Sequence, residues 1–254
     1  MNLKGKRALV LGIANQYSIA YGIAKALSEN GCEMIFSYAG PKLARRVQPI
    51  ADALGAKMCV ECDLSNDFAI QKLMESVRSV WDGIDIIVHS VAYAPIEELN
   101  KAYHHTTRQG FHIAMDISVY SLVAVLREAE AMLQEGASII TLTYYGAEKV
   151  VPNYGVMGVA KAALEASVRY LAFSMGEHSV RINAISAGPM KTLSTARISG
   201  VSQIQRRIEK SAPLGRNINS EDIAKTALYL LSDLASGVTG EVIYVDAGMN
   251  IMAY

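Results

Sequence analysis

Short runs rich in valine and isoleucine alternate with helix-patterned segments along the whole chain, and this alternation restricts the fold more than any other feature. The runs predict strands at Ala8–Leu11, Met34–Tyr38, Met58–Glu61, Ile84–His89, Ser138–Thr143, Arg181–Ile185 and Val242–Val245. Between them apolar residues recur at helical spacing, as in Ile19, Ile23, Ala26 and Leu27, or Ile70, Leu73, Met74 and Val77. The strands lack polar alternation, so both their faces are buried, as in a parallel sheet between helical layers. Repeated strand–helix–strand order then predicts a doubly wound α/β arrangement.

No Pro/Gly/Ser-rich linker, low-complexity tract or internal repeat divides the 254 residues. Residues 1–254 therefore read as a single Rossmann-type domain: a doubly wound parallel sheet of about seven strands, flanked by helices on both faces. Gly31 and Gly55 follow helical patterns, where a left-handed terminal residue is expected. Ser220 is the expected N-cap of a helix that begins with Glu221 and Asp222. The segment 190–213 breaks the alternation. It is long, weakly apolar and lies beyond the sixth strand, at the sheet end where open α/β folds bind ligands, so it is a candidate substrate cover.

The 24 basic residues balance the 24 acidic ones, and no global field points to nucleic acid or an anionic membrane. Cys32, Cys59 and Cys62 are too few, and odd in number, for a secreted disulfide framework. The C-x-x-C spacing of Cys59 and Cys62 falls on a strand, where such positions face opposite sides, so buried thiols are expected and no metal site. The start lacks the apolar core and cleavage site of a signal peptide. No stretch reads as apolar and long enough to span a bilayer, so the expected location is cytoplasmic.

The first strand runs into Gly12-x5-Ser18-x-Ala20-x-Gly22 and an amphipathic helix starting near Ile19. A glycine there permits a tight turn, and a helix N-terminus offers free N–H groups to a pyrophosphate. The usual G-x-G-x-x-G fingerprint is absent; Ser18 stands where a second glycine would, either adding a hydroxyl to a phosphate site or simply capping the helix. An acidic residue ending strand two would bind the ribose diol of NAD, and a basic one the phosphate of NADP. Here the strand ends in Ser37-Tyr38-Ala39, with Lys42, Arg45 and Arg46 on the following helix. NADH is favoured, with NADPH the alternative. Asp63 can accept from an adenine amino group, with Leu64 beside the ring.

His89 ends the fourth strand before Ser90-Val91-Ala92-Tyr93-Ala94; a lone histidine there reads as a core residue rather than an acid–base group. The informative constellation follows the fifth strand: Tyr144, then Tyr154 and Lys161 seven residues apart. On a helix that spacing returns within about 20° of one face, about 10 Å along the axis. The ammonium can hold ribose hydroxyls and favour phenolate character in the tyrosine, and the phenol can hydrogen-bond a carbonyl oxygen that gains charge.

The pattern resembles the short-chain dehydrogenase/reductase superfamily, whose ordinary members carry Tyr-x3-Lys, a T-G-x3-G-x-G turn and Asn-Asn-Ala-Gly. This chain has instead Tyr154-x6-Lys161, the serine-containing turn at Gly12, and His89-Ser90-Val91-Ala92. In those departures, and in the pairing of Tyr144 with Tyr154, it is similar to enoyl-acyl-carrier-protein reductases. The likeness continues through Asp116-Ile117-Ser118, Arg181–Pro189, Gly240-Glu241-Val242 and Val245–Gly248.

The resemblance implies reduction of an enoyl thioester by NADH, or alternatively NADPH. Tyr154 would hydrogen-bond the thioester carbonyl, Lys161 would bind the nicotinamide ribose, and Tyr144 would shape the acyl site and share in catalysis. Gly12, Ser18 and Ile19 would lie along the pyrophosphate, Ala39 near the adenosine ribose, and Asp63 and Leu64 at adenine. Ser90 and Val91 would lie near the ribose, Met190 and Thr192 at the nicotinamide end, and Ala94 would give backbone to the substrate pocket. It further implies an acyl carrier protein as partner and a homotetramer built on the long helix after Asn153 and the last strand. Lys191, Arg197, Arg206, Arg207 and Lys210 against Glu209 offer a basic face for that acidic partner, or a solvated helix face. Two other readings compete. A carbonyl reductase would need Tyr-x3-Lys, but position 158 is Gly; a non-catalytic nicotinamide sensor would have lost the tyrosine or the lysine, and both are here.

Overall fold

The computed structural model describes residues 2–190, 192 and 201–253, with backbone only at 201–204. Seven strands form one sheet: β1 Arg7–Leu11, β2 Glu33–Tyr38, β3 Met58–Glu61, β4 Ile84–His89, β5 Leu133–Thr143, β6 Arg181–Ala187 and β7 Val242–Val245. Their order is β3-β2-β1-β4-β5-β6-β7, and every neighbouring pair is parallel. The chain winds outward in one direction from β1, then restarts at β4 and winds the other way, so the doubly wound expectation holds. That reversal opens a crevice at the carboxyl ends of β1 and β4.

The alternation of side chains along each strand builds two cores. Leu9, Leu11, Ile87 and Ile139 pack on one face, under α3 (Asp67–Arg78), α6 (Ser121–Ala129) and α7 (Gly155–Met175). Ala8, Val10, Val88 and Ile140 pack on the other, under α1 (Ile19–Glu29), α2 (Pro41–Leu54) and α9 (Ser220–Leu231). Cys62 belongs to the first core and Cys59 lies against the second, so the two thiols are on opposite faces as expected. Burial pushes their pKa values up to about 12 and about 11, leaving them protonated and inert.

Gly31 and Gly55 both take positive φ, as predicted. The cap of α9 needs correction: it is Asn219, not Ser220, whose side chain accepts from the N–H groups of Glu221 and Asp222, while the Asp222 carboxylate accepts from Asn219 N. An asparagine carbonyl does the same work as a serine hydroxyl one residue earlier, and Ser220 becomes the first helical residue. The membrane expectation also changes. Arg108–Met132 forms a continuous helical stretch of 25 residues, long and apolar enough to cross a bilayer by length and composition, with half its most apolar window buried inside the protein. It comprises α5 (Arg108–Met115), a π-helical turn at Asp116–Tyr120, α6 and a closing 3-10 turn. Its apolar character is spent on packing against α3 and α7.

Candidate active site

The predicted residues gather at the carboxyl ends of the strands. Gly12 follows β1, Ala39 follows β2, Asp63 and Leu64 follow β3, Ser90–Ala94 follow β4, Tyr144 follows β5, and Met190 and Thr192 lie beyond β6. Lys191 and Arg197 lie outside the described residues.

Gly12 is the tightest point of the crevice. Its φ is +90°, and a Cβ there would stand 2.2 Å from the Ser90 carbonyl oxygen and 3.0 Å from Val91. No side chain fits, so the glycine lets β1 and β4 deliver Gly12, Ser90 and Val91 to one spot. Ser18 is the N-cap of α1: its Oγ accepts from Tyr21 N at 3.3 Å and donates to Asn15 O at 2.7 Å. Ile19 opens that helix, so its N-terminal dipole points into the crevice mouth beyond Gly12. Further along, Ala39 is exposed and carries no charge; Lys42, Arg45 and Arg46 are exposed on α2. Asp63 is exposed, with its carboxylate accepting from Ser65 N and Oγ, and Leu64 is buried beside it.

Tyr154 is the N-cap residue of α7, not a residue within it, and Asn153 before it takes a left-handed φ of +62°. The phenol ring is thereby swung back over the turn after β5, where it meets the Tyr144 ring edge-on, centroids 5.1 Å apart. Two glycines make this seat. A Cβ on Gly146 would lie 2.6 Å from the Tyr154 ring, and one on Gly158 would lie 2.7 Å from the Gly146 carbonyl oxygen. A Tyr-x3-Lys pair would need its lysine at position 158, where there is no room for a side chain.

Lys161 is buried on the sheet-facing side of α7, its Nζ donating to Leu142 O at 2.7 Å. Burial lowers its pKa to about 8, and Glu165 pulls in the other direction. Glu165, one turn later and buried, accepts from Thr143 Oγ1 at 2.6 Å. Burial, and next the neighbouring Tyr144, hold the Tyr154 phenol well above the usual tyrosine range. This corrects the expectation of phenolate character. With Lys161 turned to a backbone carbonyl, desolvation dominates, and the phenol stays neutral as a hydrogen-bond donor. Burial also raises Tyr144, with Asp246 adding to it.

His89 is a core residue, as expected. Fully buried, its ring nitrogens pair with Thr141 Oγ1 at 3.0 Å and Ser121 Oγ at 2.9 Å, and burial pushes its pKa down to about 3. Two supports act through contacts that the sequence did not assign. The π-helical turn aims buried Ser118 at the loop after β4, where its Oγ donates to Tyr93 O and accepts from Tyr93 N, each at 3.0 Å. Ala94, the next residue, packs with Leu99 of the short helix α4 (Ile96–Leu99), and with Val156 and Met157, in an apolar cluster that reaches Tyr154. In the sequence Ser118 stands only within the Asp116-Ile117-Ser118 match, with no role assigned to it, and Gly158 only as the absence of a lysine; Gly146 was detectable only as a glycine near the tyrosine.

A family model described as enoyl-(acyl carrier protein) reductase matches residues 12–250. The enoyl-[acyl-carrier-protein] reductase [NADH] of Aquifex aeolicus is 51% identical over 98% of this chain and 93% of its own length. The chain belongs to the enoyl-acyl-carrier-protein reductase family. The crystal structure of the Aquifex aeolicus enzyme superposes on this family member with a TM-score of 0.97 at 50% identity, covering both chains fully. The Bacillus cereus enoyl-acyl carrier protein reductase, solved with NADP+ and indole naphthyridinone, gives a TM-score of 0.97 at 46% identity over 100% of this chain and 99% of its own. The expected fold and the expected family are therefore both shown.

Proposed function

We infer that this chain is an NADH-dependent enoyl-acyl-carrier-protein reductase, reducing trans-2-enoyl thioesters to saturated acyl thioesters in fatty-acid elongation. The observation that carries the reading is the Tyr144–Tyr154 pair at the start of α7, with buried Lys161 two turns on, in a member of this family. The whole chain acts as one catalytic domain in the cytoplasm; the candidate substrate cover, 190–213, lies partly outside the described residues, at 191 and 193–200.

The crevice fits the cofactor, because the side-chain-free close approach at Gly12 leaves backbone at the mouth of a helix N-terminus. Gly12, Ser18 and Ile19 would hold the pyrophosphate, Asp63 and Leu64 the adenine, Ala39 the adenosine ribose, and Met190 and Thr192 the nicotinamide end. Ser90, Val91 and Lys161 would hold the nicotinamide ribose. When bound, NADH supplies the hydride that adds to the β-carbon of the enoyl group. Tyr154 donates a hydrogen bond to the thioester oxygen as charge gathers there, stabilising the enolate until the α-carbon takes a proton. Tyr144 supports that phenol edge-on and shapes the acyl site with Ala94. NADPH is a second reading, favoured by the exposed cations Lys42, Arg45 and Arg46 beyond a neutral Ala39.

Arg206 and Lys210 are exposed on α8 (Val201–Ser211), a basic face suited to an acidic carrier protein. Tyr170 and Phe173 on α7 are 78% and 87% exposed, an apolar face suited to a homotetramer that also uses β7. The test of the chemistry is Tyr154→Phe. Loss of one preorganised donor should lower kcat for crotonyl thioester about 100-fold or more, with NADH affinity by fluorescence titration nearly unchanged. Retained kcat would remove Tyr154 from its role.

A further inference from the structure

Tyr144 borders a second space that Tyr154 does not line, a cavity of about 210 Å³ between the turn after β5, the end of β6, α8 and the C-terminal turn. Its walls include Val151, Pro152, Pro189, Ile208 and Met249, so it is largely apolar. Two exposed cations, Lys149 and Arg207, also line it. Among the described residues neither forms a salt bridge. The acid of the lining, Asp246, is buried, and its carboxylate is already engaged: one oxygen accepts from Gly248 N at 3.0 Å, the other from Asn250 N at 2.8 Å. Val150, beside Lys149, is 98% exposed, an apolar side chain at the edge of the cavity with water as its neighbour.

An apolar passage that begins at Tyr144, with two cations at its exposed side that form no salt bridge among the described residues, suits a long flexible ligand that ends in an anion. We propose that this cavity receives the phosphopantetheine arm that carries the enoyl thioester, with Lys149 and Arg207 holding its phosphate. The proposal rests on the reading of the chain as an enoyl-thioester reductase. It gives the two cations a task apart from the basic face at Arg206 and Lys210: they recognise the arm, which coenzyme A and an acyl carrier protein share, and not the protein that bears it.

The experiment compares three crotonyl thioesters, on acyl carrier protein, on coenzyme A and on pantetheine, which lacks the phosphate. In the Lys149→Glu/Arg207→Glu double variant, kcat/KM for both phosphate-bearing substrates should fall about tenfold or more relative to that for the pantetheine thioester, because two attractive charges become repulsive. An equal fall on all three would overturn the proposal, as general damage to the site. So would a fall confined to the carrier-linked substrate, which would assign the cations to protein docking, and so would no fall at all. A binding measurement on the unaltered protein guards against a variant that fails to fold. By calorimetry, 4′-phosphopantetheine should bind about tenfold more tightly than pantetheine at low salt, and the advantage should shrink as salt screens it. Equal affinities would overturn the proposal. Failure of the unaltered protein to reduce any of the three crotonyl thioesters would instead strike the underlying functional reading.

Discussion

Lys161 is the residue on which pH bears most directly. Its ammonium is desolvated against Leu142 O, which brings its pKa down to about 8. The charged form is the one that can donate to ribose hydroxyls, and it persists below that value. The dependence of kcat/KM for NADH, which reports the free protein, should therefore fall as pH rises through about 8. Tyr154 does not produce this limb, because burial holds its phenol above the tyrosine range. His89 does not either, since it is neutral from about pH 3 upward. A profile that stays flat to pH 10 would contradict the assignment of Lys161. At this scale the sequence was partly legible: the tyrosine–lysine spacing named both residues, and the strand-end position of His89 marked it as core. The protonation state of Tyr154 was not legible, because it depends on where the lysine points and on how much water the fold removes.

The start of α7 shows how an element aims a residue. Tyr154 caps the helix from a position outside it, and its ring lies over Gly146 with no space for a methyl group. Gly146→Ala should push the phenol off its seat. Overpacking of this kind costs about 1–3 kcal/mol of stability, and misplacing the donor should lower kcat about tenfold or more with little change in KM for NADH. Thermal denaturation with steady-state kinetics checks both; wild-type kcat would show that the seat does not position Tyr154. Helix spacing alone could not foresee this arrangement, since Gly146 is close to Tyr154 only after the turn closes. Nor could it foresee the π-helical turn that lets Ser118 hold Tyr93, because a single inserted residue in a helix leaves the apolar pattern nearly intact. The cap of α9 slipped from Ser220 to Asn219 for a related reason: either residue type can do the work, and only backbone geometry selects.

Across the whole molecule, all seven strands were legible because burial on both faces writes an unbroken Val/Ile signature. In the sequence no stretch reads as long and apolar enough to cross a bilayer, yet Arg108–Met132 is one by length and composition; a helix packed against its neighbours can share that composition. The exposed aromatic face of α7 raises assembly. Tyr170→Glu with Phe173→Glu should convert the proposed homotetramer to smaller species on light scattering, and an unchanged mass would place the contact elsewhere. Cofactor choice stayed open at the residue level because Ala39 carries no charge. The central claim is that the chain reduces a carbon–carbon double bond and not a carbonyl. The direct measurement is oxidation of NADH, and separately of NADPH, with crotonyl thioester and with a β-ketoacyl thioester. Rapid turnover of the crotonyl substrate, faster with NADH and absent with the ketone, is the predicted result; activity on the ketone alone would contradict it.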